Sequence, residues 1–161
     1  GRRWEVLSGD GHAPEQLMFL SGDLFLSADQ VLERISPNVS LLAFEPKGDP
    51  LGEFLRSLDA LAARVPEGAL VLPGHRLPFR GLHERAAQLK AHHAARCDRI
   101  WEACDAPRTA DDLVPVLFTR PLDPHETSFA FSEVLAHLAR MVAQGRLRWE
   151  QEGGLRRVAR A

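Results

Sequence analysis

At 161 residues the chain is long enough for one good core, or for a compact domain plus a small one. A hydrophobic share of 45% with 26% charged residues excludes disorder, and a net charge of −2 with pI near 6.4 excludes the global basic field that draws nucleic acid. No apolar run approaches the roughly 18 residues that a membrane-spanning helix needs, and no secretory signal is visible at the start.

The first block, 1–105, reads as mixed α/β. Residues 4–7 form a possible strand, and 16–20 and 24–27 are two more, joined by the tight turn Ser21-Gly22-Asp23. Residues 36–49 are loop-like. Asp49 then caps a helix with Pro50 at its first position, and Leu51, Phe54, Leu55, Leu58, Leu61 and Ala62 repeat at helical spacing. A short apolar strand, 69–72, runs into Pro73-Gly74-His75. Strand, helix and strand in alternation, with loops at strand ends, predict a layered α/β sandwich.

A long helix follows over 82–104. Its apolar stripe is Leu82, Ala86, Leu89, His93, Cys97, Ile100 and Cys104. His93 on that stripe, with His92 beside it, has two readings: a metal-binding pair, or a buried hydrogen-bonded histidine next to a solvated one. The second is taken here, and His83 is placed on the exposed side. Cys97 and Cys104 stand roughly 10 Å apart along the helix, beyond disulfide reach. They read as reduced packing residues of a cytoplasmic protein.

The second block, 106–161, opens at Ala106-Pro107-Arg108. Thr109 with Asp112 resembles a capping box before a short helix, 110–118. A further helix spans 127–144, with the stripe Phe131, Val134, Leu135, Leu138 and Met141/Val142, and Gly145 ends it. Residues 146–149 and 155–158 alternate as strands around Glu152-Gly153-Gly154. Two helices and a two-stranded ribbon form a winged-helix pattern.

Candidate chemistry lies at the loops beyond the strands. His12 precedes the hairpin, and Asp10, Asp23 and Asp29 compete as its carboxylate partner. Asp23, at the hairpin tip, is roughly 13–17 Å from the start of a five-residue strand. Asp29 is brought back beside His12 by the return strand. Asp10 is explained by an Asp-Gly turn. His75 follows another strand. Each histidine alone reads as a surface or core residue, but His12, Asp29 and His75 together are ligand types that suit zinc, iron or manganese.

These residues resemble a known family. Gly11-His12-Ala13-Pro14-Glu15-Gln16-Leu17 is similar to the GH[ST]PxxL segment of the metallo-β-lactamase-fold hydrolases. Leu24-Phe25-Leu26-Ser27-Ala28-Asp29 resembles their LFSGD, with Ala28 in place of the usual glycine, and Leu72-Pro73-Gly74-His75 matches their PGH. The stretch 34–40 and the winged helix resemble a β-lactamase-like subgroup with that C-terminal module. The resemblance implies His12 as terminal ligand of one metal, Asp29 as a bridging ligand and His75 as terminal ligand of the second. It implies two zinc ions, with iron or manganese as alternatives, and an αββα sandwich of which this chain supplies the C-terminal half.

Two departures qualify that expectation. The family's HxHxDH signature, which carries most of its ligands and the aspartate that orients the attacking water, does not occur in this sequence. The chain thus looks like part of a longer hydrolase and is expected to be inactive alone. Arg76 stands where a glycine usually follows the ligand histidine. It is a candidate contact for an anionic substrate, and equally a solvated side chain.

The parent activity expected is metal-dependent hydrolysis of an ester, thioester, lactam or phosphodiester, with a small molecule or RNA as substrate and no membrane partner. The alternative is a non-catalytic nucleic-acid-binding or protein-interaction module built on the winged helix. Residues 107–161 hold eight basic and seven acidic side chains, too balanced for strong phosphate binding. Weak contact through Arg146, Arg148, Arg156 and Arg157 stays open. Without its partner sheet, inward residues read as Leu17, Phe19 and Phe25 would form an apolar face, so a homo-oligomer or association with the absent half is expected.

Overall fold

The computed structural model describes residues 1–161, the side chain of Glu152 excepted. Ten elements follow in order: β1 (Glu5–Gly9), β2 (Gln16–Ser21), β3 (Leu24–Ala28), α1 (Pro50–Arg64), β4 (Leu70–Pro73), α2 (Leu82–Ala103), α3 (Ala110–Leu117), α4 (Pro124–Ala143), β5 (Leu147–Glu152) and β6 (Leu155–Arg160). The chain divides into two compact units, 1–39 with 52–91 and 40–51 with 92–161. The sequence boundary after 105 follows element content. This division follows packing, and it falls within α2.

The first unit is built on a four-stranded sheet in the order β1-β2-β3-β4. β1, β2 and β3 form an antiparallel meander, and β4 joins β3 in parallel after the α1 crossover. Alternation along the strands puts Met18, Leu20, Phe25 and Val71 on a buried face. Phe54, Leu58 and Leu61 of α1 are buried as well and complete this core. The register pairs Phe19 with Leu26 and Leu20 with Phe25, so Leu17 and Phe19 face the other way. The sequence grouping of Leu17, Phe19 and Phe25 is therefore corrected. Phe25 is 0% exposed on the core face, whereas Leu17 is 54% exposed on the opposite one.

The stripe expected on α2 is the buried one, from Leu82 to Cys104. Both cysteines are free and buried. His83 departs from expectation: it is half-buried, with Nε2 against the Val65 carbonyl at 3.0 Å.

In the second unit Thr109 and Asp112 form the expected capping box. α4 begins three residues before the expected start, because Asp123 and Glu126 make a second capping box around Pro124. Its C-terminus is closed by Gly145 at φ +69, with Gly145 N–H donating to Val142 and Arg146 N–H to Met141. The buried face of α4 is Ala130, Glu133, Val134, Ala136, His137, Leu138 and Met141. Phe131, expected inward, is 38% exposed. The face is rotated because Glu133 and His137 meet Arg96 and His93 in the interior. β5 and β6 pair over six residues, and Val158 also bridges to Arg108. Among the described residues, no helix is long and apolar enough to cross a membrane.

Candidate metal centre

Topology brings three loops to one end of the sheet. β3 and β4 are parallel, so their C-terminal ends coincide, and β2 starts at that same end because it runs antiparallel to β3. His12 lies just before β2, Asp29 just after β3, and His75 just after β4. Asp23 is exposed in the turn at the opposite end, where its carbonyl accepts from Leu70 N–H at 2.7 Å.

His12 Nε2 lies 3.8 Å from Asp29 Oδ2, and His75 Nε2 lies 3.4 Å from the same oxygen. The side chains of His12 and Asp29 are about a quarter exposed, and that of His75 is 68% exposed. Both separations exceed an ordinary N–H···O bond. Asp29 Oδ1 is buried without a hydrogen-bond partner among the described residues. A carboxylate with one orphaned oxygen and two imidazoles converging on the other fits a cation-binding group. Histidine and carboxylate donors suit zinc, iron or manganese.

His12 Nδ1 is 2.9 Å from the Asn38 carbonyl. A carbonyl only accepts, so Nδ1 carries a proton, and in the neutral ring Nε2 is the lone-pair nitrogen, the one that faces Asp29. This is how a ligating imidazole is normally oriented. The Asp10 carboxylate, by contrast, accepts the Glu15 N–H at 2.8 Å. The Asp10 backbone is held by Ser57 Oγ and Gln30 Nε2 at 2.8 and 2.9 Å. Asp10 thus shapes the turn that carries His12.

The backbone explains the motif glycines. At Gly11, φ is +100 and a Cβ would lie 2.4 Å from the Phe54 Cβ. At Gly74 a Cβ would lie 2.5 Å from Asp29 Oδ1. Gly74 N–H also donates to the Ala28 carbonyl at 2.7 Å, locking the His75 loop to the Asp29 loop. The β3–β4 register shifts between Leu26 and Ala28, a bulge of the kind that re-aims side chains beside active sites. Ala28 sits there at φ +45, and Arg76 follows His75 at φ +72. Both occupy the left-handed region where glycine is at ease. Arg76 itself is exposed.

A second polar cluster lies inside the second unit. His92, His93 and Glu133 place donor atoms within 4.8 Å of one another. Some of the groups around it bond to one another, while the Nε2 atom of His93 is buried without a hydrogen-bond partner among the described residues. His137 Nδ1–H donates to the Glu133 carbonyl at 2.8 Å, which leaves its Nε2 to accept from His93 Nδ1–H at 3.1 Å. The Glu133 carboxylate is ion-paired with Arg96, whose guanidinium also lies over Phe118. Burial drives the His93 pKa down to about 3 and that of His137 to about 4, and it raises that of Glu133. Sequence reasoning found His93 by its stripe position. It missed Glu133 and His137, which share an i,i+4 spacing in phase with Val134 and Leu138.

Comparison with known proteins bears on the fold. A family model described as metallo-beta-lactamase-like, C-terminal domain, matches residues 97–161. The whole chain superposes on a beta-lactamase domain protein from Burkholderia ambifaria with a TM-score of 0.96 and 42% identity, covering 49% of that chain. It is also similar over its whole length to a metallo-beta-lactamase family protein from Thermus thermophilus, with a TM-score of 0.86 and 37% identity, covering 50% of that chain. No curated protein matches the sequence. With the fold shared across every residue, the chain belongs to the metallo-β-lactamase-fold family and spans about half the length of the solved relatives it matches.

Proposed function

We propose that the full-length protein is a metal-dependent hydrolase whose centre includes His12, Asp29 and His75. The observation that carries this reading is the approach of both imidazoles to one Asp29 oxygen while the other oxygen is buried and unbonded. His12 and His75 would act as terminal ligands of two ions, zinc in the first instance or else iron or manganese, and Asp29 would bridge them. Bound metal supplies an activated water and stabilises the oxyanion formed at an ester, thioester, lactam or phosphodiester. The chain's own residues orient the site. The Asn38 carbonyl holds His12 in the Nδ1–H tautomer, Gly74 leaves room for the Asp29 carboxylate, and Arg76, exposed beside His75, would meet an anionic substrate.

The 161 residues contain no HxHxDH, so this chain by itself is expected to bind metal weakly and to lack hydrolytic activity. Zinc-dependent hydrolysis of a thioester, nitrocefin or an RNA phosphodiester by the pure chain, lost on His12→Ala, would overturn that expectation. In a full-length protein, Asp29→Asn should abolish metal-dependent turnover, and full activity in that variant would sink the ligand assignment.

Residues 106–161 are read as a winged helix. As a nucleic-acid module it is the weaker reading, because two of its four wing arginines are already paired: Arg146 with Asp98 and Arg148 with Glu150. Arg156 instead lies 3.9 Å over the Trp149 ring. A packing or dimerisation role suits this surface better.

A further inference from the structure

We infer that Arg85, on the first turn of α2, is a positioning residue for the metal centre, acting through the loop that carries Asn38. The proposal rests on the metal-centre reading of His12. Residues 32–35 form no regular secondary structure, so the carbonyls of Leu32, Arg34 and Ile35 take their donors from outside a strand or helix ladder. Arg85 supplies them. Its Nε donates to the Leu32 carbonyl at 2.8 Å, and its Nη2 donates to the carbonyls of Arg34 and Ile35 at 2.9 and 3.0 Å. Nη1 reaches Gln88 Oε1 at 3.3 Å, and Gln88 in turn donates to Glu84 at 3.2 Å, which steadies the fork from its own helix.

The clamped segment is short. Arg34 and Ile35 are exposed, whereas Leu32, Pro37 and Val39 are buried. The guanidinium therefore fixes the exposed bend between two buried anchors, and the second anchor flanks Asn38. The Asn38 carbonyl is the group that selects the His12 tautomer. If the bend loosens, that carbonyl drifts and His12 loses the bond that directs Nε2 at Asp29. Only arginine presents planar donors to three carbonyls at once, and a lysine ammonium cannot reproduce the fork. The same helix follows the His75 loop directly, and Arg85 N–H donates to the Gly81 carbonyl at 3.0 Å.

The test compares this chain with Arg85→Ala and Arg85→Lys. The imidazole nitrogen resonances of His12 are recorded by long-range proton–nitrogen correlation without metal, and zinc affinity is measured by competition with a chromophoric chelator. The wild type should show a single Nδ1–H tautomer at His12. Both variants should show a tautomer mixture and a zinc affinity lower by roughly 10- to 100-fold, the usual cost of removing a group that orients a ligand. Arg85→Lys, which keeps the charge and the stem, serves if Arg85→Ala does not fold. An unchanged His12 pattern in the folded variants overturns the proposal. A wild-type chain that takes up no zinc would instead count against the metal reading, and the tautomer comparison would still decide the role of Arg85.

Discussion

Ala28 holds a left-handed backbone, φ +45, at the bulge that delivers Asp29 to the site. A non-glycine residue pays roughly 1–2 kcal/mol for that conformation, and glycine's extra chain entropy returns part of the difference. Ala28→Gly should therefore stabilise the protein by about 0.5–1 kcal/mol, seen as a higher urea midpoint at constant slope. A lower midpoint would mean that the Ala28 methyl does packing work that outweighs the strain. Gly74→Ala should act in the opposite sense. Its Cβ would lie 2.5 Å from Asp29 Oδ1, so the carboxylate or the loop must move. The expected cost is about 1–3 kcal/mol, as for other overpacked sites, together with at least a tenfold loss in zinc affinity by chelator competition. Unchanged zinc affinity would contradict the ligand role of Asp29. These positions were legible in the sequence because Gly-His, Ser-Ala-Asp and Pro-Gly-His are short local patterns. Asn38 and Arg85 were not legible, because they act on or through backbone carbonyls, which leave no mark on the amino-acid string.

Between residue and molecule, α4 shows what helical spacing conveys and what it leaves out. Its apolar count gave the helix, but the buried face is set by polar partners, and a hydrophobic stripe does not register a histidine bonded to a histidine. The missed start is different in kind, since Asp123 and Glu126 stand in the sequence at capping-box spacing. The His93–His137 pair makes the second unit acid-sensitive, and the sign follows from the depressed pKa values. Folded, the two rings stay neutral until pH about 3 and about 4, because burial disfavours the charged forms. Unfolded, both take up protons near 6.5. Their contribution is complete above pH 6.5 and is lost as pH falls through and below that value. Glu133, raised by burial, opposes it in sign, and Arg96 and His92 add positive charge that disfavours protonation. The unfolding free energy should drop by about 1 kcal/mol or more between pH 6 and 5, given about 1.4 kcal/mol per pH unit for each proton taken up. Urea titrations at pH 8, 6 and 5 measure it, and a flat profile across that window would refute the assignment. The cysteines give a companion check. Burial raises the Cys97 pKa to about 11 and raises that of Cys104 as well. The native protein should then react with a disulfide reagent only as fast as it opens, while urea-unfolded protein labels at both sites within mixing time.

For the whole molecule the open question is what covers the outer face of the sheet. Val6 is 57% exposed and Leu17 54%, with Trp4 at 39% beside the start of β1. Phe19, Leu24, Leu26, Leu70 and Leu72 lie half-buried on the same side by alternation and register. This is an apolar surface on one side of a sheet whose other side is already a core. β4 has its outer edge partly closed by the bridge from Val71 to Phe79. β1 is the terminal strand at the other edge. A polar outer face would have marked a sheet finished on one side, as many antiparallel sheets are. Apolar residues on both faces instead mark one to be covered twice, and the solved relatives are about twice as long as this chain. Large apolar patches and open strand edges both promote association. The isolated chain is therefore expected to associate at micromolar concentration, through face-to-face packing or strand addition at β1. Replacing Val6 and Leu17 by lysine, which leaves the buried face untouched, should weaken that association. Sedimentation velocity against concentration is the measurement. A wild-type chain that stays monomeric and unfolds cooperatively would show that this face is tolerated in water, and the expectation of a covering partner would fall with it.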